Sequence, residues 1–163
     1  MVWFGTPGEN LLQAAKDGDH DSASRCINKG SGLNYRDSQG DTATHKAAAS
    51  GHDQIFQLLR RNFVYAGIEN CEGWTPLHLA AKNGHESFVR HFLFDQKGIR
   101  YRNSEGWNPM HCAAWNGHEN VVQLLLNHRA NINEKNYQGW TSLHVAAANG
   151  QMNMVEFLLG KGA

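Results

Sequence analysis

Glycine returns every 33 residues along almost the whole chain, and this spacing constrains the fold more than any other feature. Histidine and paired alanines keep the same step, so the columns run in register without an insertion. Self-similarity at a fixed period is the signature of repeat proteins, in which each unit stacks on its neighbours. The columns are Gly40, Gly73, Gly106 and Gly139; Gly18, Gly51, Gly84, Gly117 and Gly150; His45, His78, His111 and His144; and the alanine pairs that begin at Ala14, Ala47, Ala80, Ala113 and Ala146.

Each unit is predicted to be a turn followed by two short helices, and the third copy shows this order most clearly. Residues 71–74 have the composition of a turn in which Gly73 is free to take a positive φ. Thr75 then offers a hydroxyl cap, and Pro76 suits the first helical position. Small and apolar residues follow at helical spacing, Asn83 and Gly84 end the first helix, and a second helix runs through residues 88–93.

The segment GWTPLHLAAKNGHESFV at 73–89 resembles the ankyrin repeat, which has this period and a T-P-L-H-x-A signature. The segments 106–126 and 139–150 match nearly as well, whereas 40–52 is a weaker copy and 8–37 a degenerate one. The resemblance implies an all-α solenoid of five stacked helix-turn-helix units with β-hairpin-like fingers, in which fingers and first helices line a concave face. The predicted divisions are a leader at 1–7, a capping repeat at 8–37, and repeats at 38–70, 71–103, 104–136 and 137–163, the last of them incomplete.

The two ends of the array are predicted to differ. Ser22 and Arg25 stand where later copies carry apolar residues, which predicts a polar outer face for the first repeat, and Trp3 and Phe4 are expected to pack on it. The last copy instead keeps interior-type residues without a cap, so we expect the natural chain to continue with more repeats or another domain. The alternative is a true end whose last helix frays or associates. The interior-type residues are Met154, Val155, Phe157, Leu158 and Leu159.

Charge and cysteine content narrow the class of protein. Fifteen Lys and Arg balance 15 Asp and Glu, which argues against a nucleic-acid binder. No apolar run reaches about 18 residues and the amino terminus lacks a signal-peptide pattern, so no membrane insertion is expected. Three cysteines without a CxxC motif favour a reducing, cytoplasmic compartment over a disulfide framework. We expect a monomer.

Ten histidines suggest a metal site, but the period accounts for most of them. The resemblance implies that the TPLH histidines bond near the threonine cap and brace neighbouring units. Among the cysteines, Cys26 shares an apolar column, Cys71 lies on a finger, and Cys112 follows His111 on a helix, where adjacent side chains point apart. The sequence contains no phosphate loop, paired-carboxylate motif or GxSxG motif. We therefore predict no catalysis, no cofactor and no metal.

Function is expected to reside in surface positions that bind a protein or an extended peptide, as the resemblance implies. The tryptophans after the finger glycines either pack on neighbouring fingers or contact the partner. On the first helices Trp115 is the outstanding candidate, because an aromatic anchor there would lie between small residues. The finger positions are Asp41, Trp74, Trp107 and Trp140; the helix positions are Lys82, Asn83, Trp115, Asn116 and Asn149; and the mixed-charge loop residues include Arg102.

The loops after the second helices hold two further candidates. Phe63, Gln96 and Arg129 replace the glycine that commonly ends this helix, and a positive φ at a non-glycine residue costs about 1 kcal/mol. Asn62 or Gly98 taking the positive φ is the alternative. Asn133 stands where asparagine hydroxylation is known in the ankyrin family, and it follows the leucine run of the fourth copy.

Two functions remain open at this point. The first is a non-catalytic interaction module that binds its partner across the fingers and the concave face. The second is the N-terminal recognition or regulatory domain of a larger enzyme or channel whose functional part lies beyond Ala163.

Overall fold

The structure, a computed structural model, describes residues 5–30, 32–62, 67–93 and 98–163. Within these ranges the regular structure is entirely helical, so the predicted all-α class is confirmed. The leader residues Trp3 and Phe4, together with Phe63 and Gln96, lie outside the described residues. The helices are α1 (Pro7–Asp17), α2 (His20–Asn28), α3 (Ala43–Ser50), α4 (Asp53–Arg61), α5 (Pro76–Lys82), α6 (Glu86–Phe92), α7 (Pro109–Trp115), α8 (Glu119–Asn127), α9 (Ser142–Ala148) and α10 (Met152–Gly160), with a 3₁₀ turn at Gly98–Arg100.

The helices pack as consecutive pairs, and the pairs stack on one another. Each odd-numbered helix contacts the even-numbered helix that follows it, and the odd-numbered helices also contact each other in one row from α1 to α9. In the second row α2 packs on α4, α6 packs on α8, and the rings of Phe56 and Phe88 join α4 to α6 with centroids 4.6 Å apart. The core therefore lies between neighbouring pairs, and it is built from alanines together with larger apolar side chains.

The odd-numbered helices begin at reciprocal caps. At α5 the Thr75 backbone N–H donates to Nδ1 of His78 over 3.1 Å, and Pro76 follows the cap as the sequence predicts. The first copy lacks the TPLH motif but reaches the same arrangement, because the Thr6 N–H donates to the carboxylate of Glu9 over 2.7 Å. A glutamate three residues after a threonine cap is the usual form of this box, so α1 is capped without a histidine.

The loops predicted to be β-hairpin-like fingers are hydrogen-bonded turns, and the described residues form no regular strand. In the turn 70–74 the Asn70 N–H donates to the Trp74 carbonyl over 2.9 Å, and the Asn70 side chain accepts the N–H groups of Glu72 and Trp74. Neighbouring turns are joined by the Ser104 N–H, which donates to the Glu72 carbonyl over 3.1 Å. The turns therefore form a ladder along the stack.

Three of the four TPLH histidines brace neighbouring units as the resemblance implies, while His144 of the last unit bonds to its own cap, Thr141. Nδ1 of His78 accepts the Thr75 N–H, so Nε2 carries the proton and donates to the Trp107 carbonyl of the next unit over 2.9 Å. His45 and His111 make the matching bonds to the carbonyls of Trp74 and Trp140. These histidines are fully buried, so each satisfies polar groups that would otherwise be stranded in the interior.

The histidines after the separating glycines form a second ladder that runs in the opposite direction. Nε2 of His118 lies 3.0 Å from the Lys82 carbonyl at the end of α5 in the preceding unit. Gly84, at φ 75°, makes room for this ring, since a Cβ there would lie 2.6 Å from the imidazole. Asn83 has φ −100°, so Gly84 alone takes the left-handed conformation that ends α5.

Arg129 has φ 67°, which confirms a left-handed, non-glycine residue after α8. Neither Asn62 nor Gly98 takes the positive φ that the alternative required. At the first repeat Arg25 is exposed on the outer side, whereas Ser22 is buried beneath it and accepts its guanidinium bond over 2.9 Å. In the last pair Met154 and Leu158 are buried, while Leu159 remains 55% exposed.

Candidate functional site

Three of the four finger and helix tryptophans meet in one groove. It has a volume of about 220 Å³ and is lined by Trp74, Lys82, Glu105, Trp107, Cys112 and Trp115, which we name the aromatic groove. The lining comes from α5, α7 and the two turns that precede these helices. The groove therefore lies where two neighbouring units meet.

Trp74 forms one wall of the aromatic groove and is held from two sides. Its Nε1 donates to the Glu72 carboxylate over 2.9 Å, and its ring meets His78 edge-on with centroids 5.8 Å apart. Nζ of Lys82 lies 5.3 Å from the centre of the indole ring, which is a cation–π distance. Trp74 and Lys82, both predicted to bind a partner, thus contact each other within the chain itself.

Trp107 and Trp115 form the other wall as an aromatic pair. Their ring centroids are 5.3 Å apart with an angle of 56° between the planes. Both side chains are half-buried, so each keeps part of its surface available. The indole Nε1–H of Trp107 is buried without a hydrogen-bond partner among the residues that the structure describes. The pair therefore packs within the chain and also keeps exposed surface. Packing on neighbouring turns and contact with a partner are thus compatible interpretations of these tryptophans.

The predicted asparagines at the ends of the odd-numbered helices are exposed and bond to backbone carbonyls. Asn116 Nδ2 donates to the Lys82 carbonyl over 2.6 Å, and Asn149 Nδ2 donates to the Trp115 carbonyl over 2.5 Å. Asn83 instead bonds within its own helix, to the Leu79 carbonyl over 3.0 Å. Asn116 and Asn149 therefore hold the helix ends that carry Lys82 and Trp115 in register.

Asp41 occupies the tryptophan position of the second unit and lines a separate, larger groove of about 740 Å³. We name it the amino-terminal groove; its charged lining is Glu9, Lys16, Asp37, Asp41 and Lys46, and it reaches Leu79 on α5. Asp41 is only 7% exposed, and its carboxylate is paired with Nζ of Lys46, which lies 2.7 Å from Asp41 and 2.8 Å from Asp37. Lys46 thus neutralises one of the two carboxylates.

Arg102 and Trp140 lie outside both grooves. Arg102 donates to the Lys135 carbonyl over 2.8 Å and pairs with Glu134, so it ties neighbouring loops together. Trp140 is 42% exposed on its turn and accepts the His111 bond through its carbonyl. The structure therefore brings Trp74, Trp107, Trp115 and Lys82 together, and it leaves these two residues apart from them.

The buried histidine and cysteine side chains are poorly suited to metal binding or nucleophilic chemistry. Burial lowers the pKa of His78 to about 4, and burial also lowers the pKa values of His45 and His111. Burial raises the pKa of the Cys112 thiol, which disfavours the thiolate that a nucleophile requires. Across the described ranges, no group of three or more His, Cys, Asp and Glu side chains could hold a metal ion.

Asn133, the candidate for hydroxylation, is exposed in the turn after α8. Its backbone N–H donates to the Asn131 side chain over 3.0 Å. The side chain is accessible where it stands, and its modification stays a prediction.

Several residues of the site were missed from the sequence. Glu72 and Glu105 stand one position before the finger glycines, and Asn70, Asn103 and Asn136 organise the turns; all follow the 33-residue step. Cys112, which the sequence suggests only as a nucleophile candidate, lines the aromatic groove. The period was the signal for the asparagines, whereas only the packing of two units shows which side chains share a groove.

The fold and the grooves define a helical-repeat protein, and comparison with known proteins identifies its family. The family model described as ankyrin repeats (3 copies) matches residues 11–103 and 87–163, so the chain belongs to the ankyrin repeat family. Curated relatives include ankyrin repeat domain-containing protein 46 of Rattus norvegicus and of Mus musculus, each 47% identical over 51 residues. That match covers 31% of this chain and 22% of each relative, about a fifth of their length.

Ankyrin repeats are in general protein–protein interaction modules, and the family is typically non-catalytic. In the part of the chain that the structure covers, no helix is long and apolar enough to cross a membrane.

Proposed function

We propose that this chain is a non-catalytic module that binds a protein partner across its turns and odd-numbered helices. The observation that carries the proposal is the aromatic groove, where Trp74, Trp107 and Trp115 converge beside Lys82 and Glu105. The partner presents either an extended segment or the edge of a folded surface to this groove. We further propose that the chain acts as a monomer in a reducing, cytoplasmic environment and needs no cofactor.

The make-up of the groove supports this role. Tryptophan is enriched among the residues that dominate binding energy, and such residues lie in packed pockets with a polar rim. Trp115 and Trp107 already pack on each other, so little side-chain entropy is lost when a partner covers them. Lys82 and Glu105 supply the charged rim.

The other predicted residues are assigned supporting places. Asn83, Asn116 and Asn149 lie at the ends of the odd-numbered helices and contact the edge of the partner. Trp140 and Arg102 are peripheral, since neither lines the aromatic groove. Asp41 acts through the charge of the amino-terminal groove.

Differential capture tests this function. The wild type, a Trp74→Ala/Trp115→Ala double variant and a Trp140→Ala control are immobilised, and proteins retained from a cell extract are identified by mass spectrometry. We expect specific proteins to bind the wild type and the Trp140→Ala control and to be lost with the double variant, because only the double variant opens the groove walls. Equal retention by all three chains would contradict the proposal, provided that circular dichroism shows each chain to be folded.

A further inference from the structure

The aromatic groove already holds a cation of its own chain. Nζ of Lys82 lies 5.3 Å from the centre of the Trp74 ring and forms no ion pair with any described carboxylate. The indole face attracts a positive charge through its quadrupole, so the structure shows that this wall accepts a cation. Lys82 occupies only that wall, and the pair formed by Trp107 and Trp115 faces the same groove.

Carboxylates flank both walls of the groove. The Glu72 carboxylate accepts the indole Nε1–H of Trp74 over 2.9 Å, and Glu105 lies in the groove lining on an exposed turn. The Glu105 carboxylate has no hydrogen-bond or ionic partner among the residues that the structure describes. An incoming cation would therefore find indole faces and an unpaired carboxylate in the same groove.

The charge of the two grooves taken together also favours a cation. The two grooves follow one another along the odd-numbered helices, since the amino-terminal groove reaches Leu79 and the aromatic groove begins at Lys82 on the same helix. The two groove linings hold four carboxylates against three ammonium groups, and Glu72 adds a fifth carboxylate beside Trp74, on a chain of zero net charge. They are Glu9, Asp37, Asp41, Glu72 and Glu105 against Lys16, Lys46 and Lys82.

We propose that the aromatic groove takes an arginine side chain from a basic, extended segment of a protein partner, which rests on the interaction function proposed above. A guanidinium is planar and weakly hydrated, so it stacks on an indole while its N–H groups reach a carboxylate. An apolar side chain would use the indoles but leave Glu105 and Lys82 to lose water without a partner. An acidic side chain would meet the net negative charge of the face.

Peptide selection tests the chemistry of the anchor. Random peptides displayed on phage are selected on the wild type, and the best binder is synthesised with its anchor as Arg, Leu or Glu. We expect the enriched peptides to share an arginine within a basic segment, with Leu weakening binding about tenfold and Glu weakening it further. On the protein, Glu105→Gln should weaken the arginine peptide about 3–5-fold, whereas Glu156→Gln on the exposed face of α10 should leave it unchanged.

Lys82 provides a second readout. Because its ammonium competes for Trp74 and repels an incoming cation, Lys82→Gln should strengthen binding of the arginine peptide about 3-fold. Lys29→Gln removes the same charge from the exposed end of α2 and should have no effect. Weaker binding in Lys82→Gln would overturn the proposal.

The selection also separates this inference from the proposed function. Peptides with apolar or acidic anchors that lose affinity in Trp115→Ala would overturn the arginine proposal and leave the interaction function standing. Peptides whose affinity is unchanged in Trp115→Ala, or a selection that enriches no peptide, would overturn both the arginine proposal and the interaction function.

Discussion

Replacing Phe88 by alanine is expected to lower the free energy of unfolding by about 3–5 kcal/mol. Phe88 is fully buried on α6, and its ring lies 4.6 Å from Phe56 on α4 and 5.5 Å from Phe92. Neighbouring units in a repeat array are stabilised mainly by the interface they share, so the cavity would open at the contact that joins the second and third helix pairs. Urea unfolding followed by circular dichroism measures the loss.

Phe157→Ala is the matched control for this prediction. Phe157 is only partly buried at the surface of α10, where Nζ of Lys161 lies 5.2 Å from its ring. Less apolar area returns to water when this ring is removed, so the expected loss is about 1–2 kcal/mol. Equal losses in the two variants would show that the interface between α4 and α6 is no more important than a surface contact.

Acid is expected to destabilise the fold between about pH 6.5 and pH 4, before most carboxylates are protonated. Burial lowers the pKa of His78 to about 4 from an ordinary 6.5, and burial also lowers the pKa values of His45 and His111. Below pH 6.5 the unfolded chain therefore binds protons that the folded chain excludes, and the free energy of unfolding decreases as the pH is lowered. Each histidine contributes at most about 1.4 kcal/mol per pH unit, and the dependence ends below its folded pKa.

The variant His78→Gln isolates one histidine of this set. Glutamine is a common third residue of a capping box, so it can bond back to Thr75 without titrating. The variant should be less stable at pH 7.5, because the bond to the Trp107 carbonyl is lost, yet its stability should fall less between pH 6.5 and pH 4.5. An unchanged slope would show that His78 does not drive the acid response.

Carboxylates act at the lower end of this window and below it, so the range from pH 6.5 to pH 4.5 reports mainly on the histidines. Hydrogen bonds from Thr6 hold the pKa of Glu9 below its ordinary 4.5, and bonds from Ser22 hold the pKa of Asp19 below 3.8. Their contribution to stability is present above these values and is lost as pH falls further.

Most of the fold could be predicted from the 33-residue period, because the turn, cap and helix patterns within each unit agreed with one another. Thr75, Pro76 and His78 predicted a helix start with its cap, and the 33-residue step transferred that prediction to three other units. The bonds from His78 to the next unit followed from the family resemblance and are confirmed. The cap of the first copy could not be predicted from this motif, because Glu9 replaces the histidine in an equivalent cap.

The site was less predictable, because it forms between units. Trp74 and Trp140 share one column, yet Trp74 lies in a groove that the next unit completes, while Trp140 is 42% exposed on the last turn. Whether Lys82 points to solvent or over Trp74 depends on a rotamer that the sequence does not specify. Glu105 and Lys82 are far apart in the sequence, so only stacking brings them into one lining.

Trp115→Ala tests the central claim most directly, by paired titration calorimetry and thermal unfolding with a partner identified by capture. Trp115 is an anchor in the groove, so we predict that Kd rises about 30-fold. The fold loses the aromatic pairing with Trp107, about 0.5–1.5 kcal/mol, together with the apolar burial of a half-buried ring, about 1–2 kcal/mol, so the thermal midpoint should fall by less than about 10 degrees. An unchanged Kd together with a large fall in the midpoint would contradict the account, because Trp115 would then be a packing residue alone.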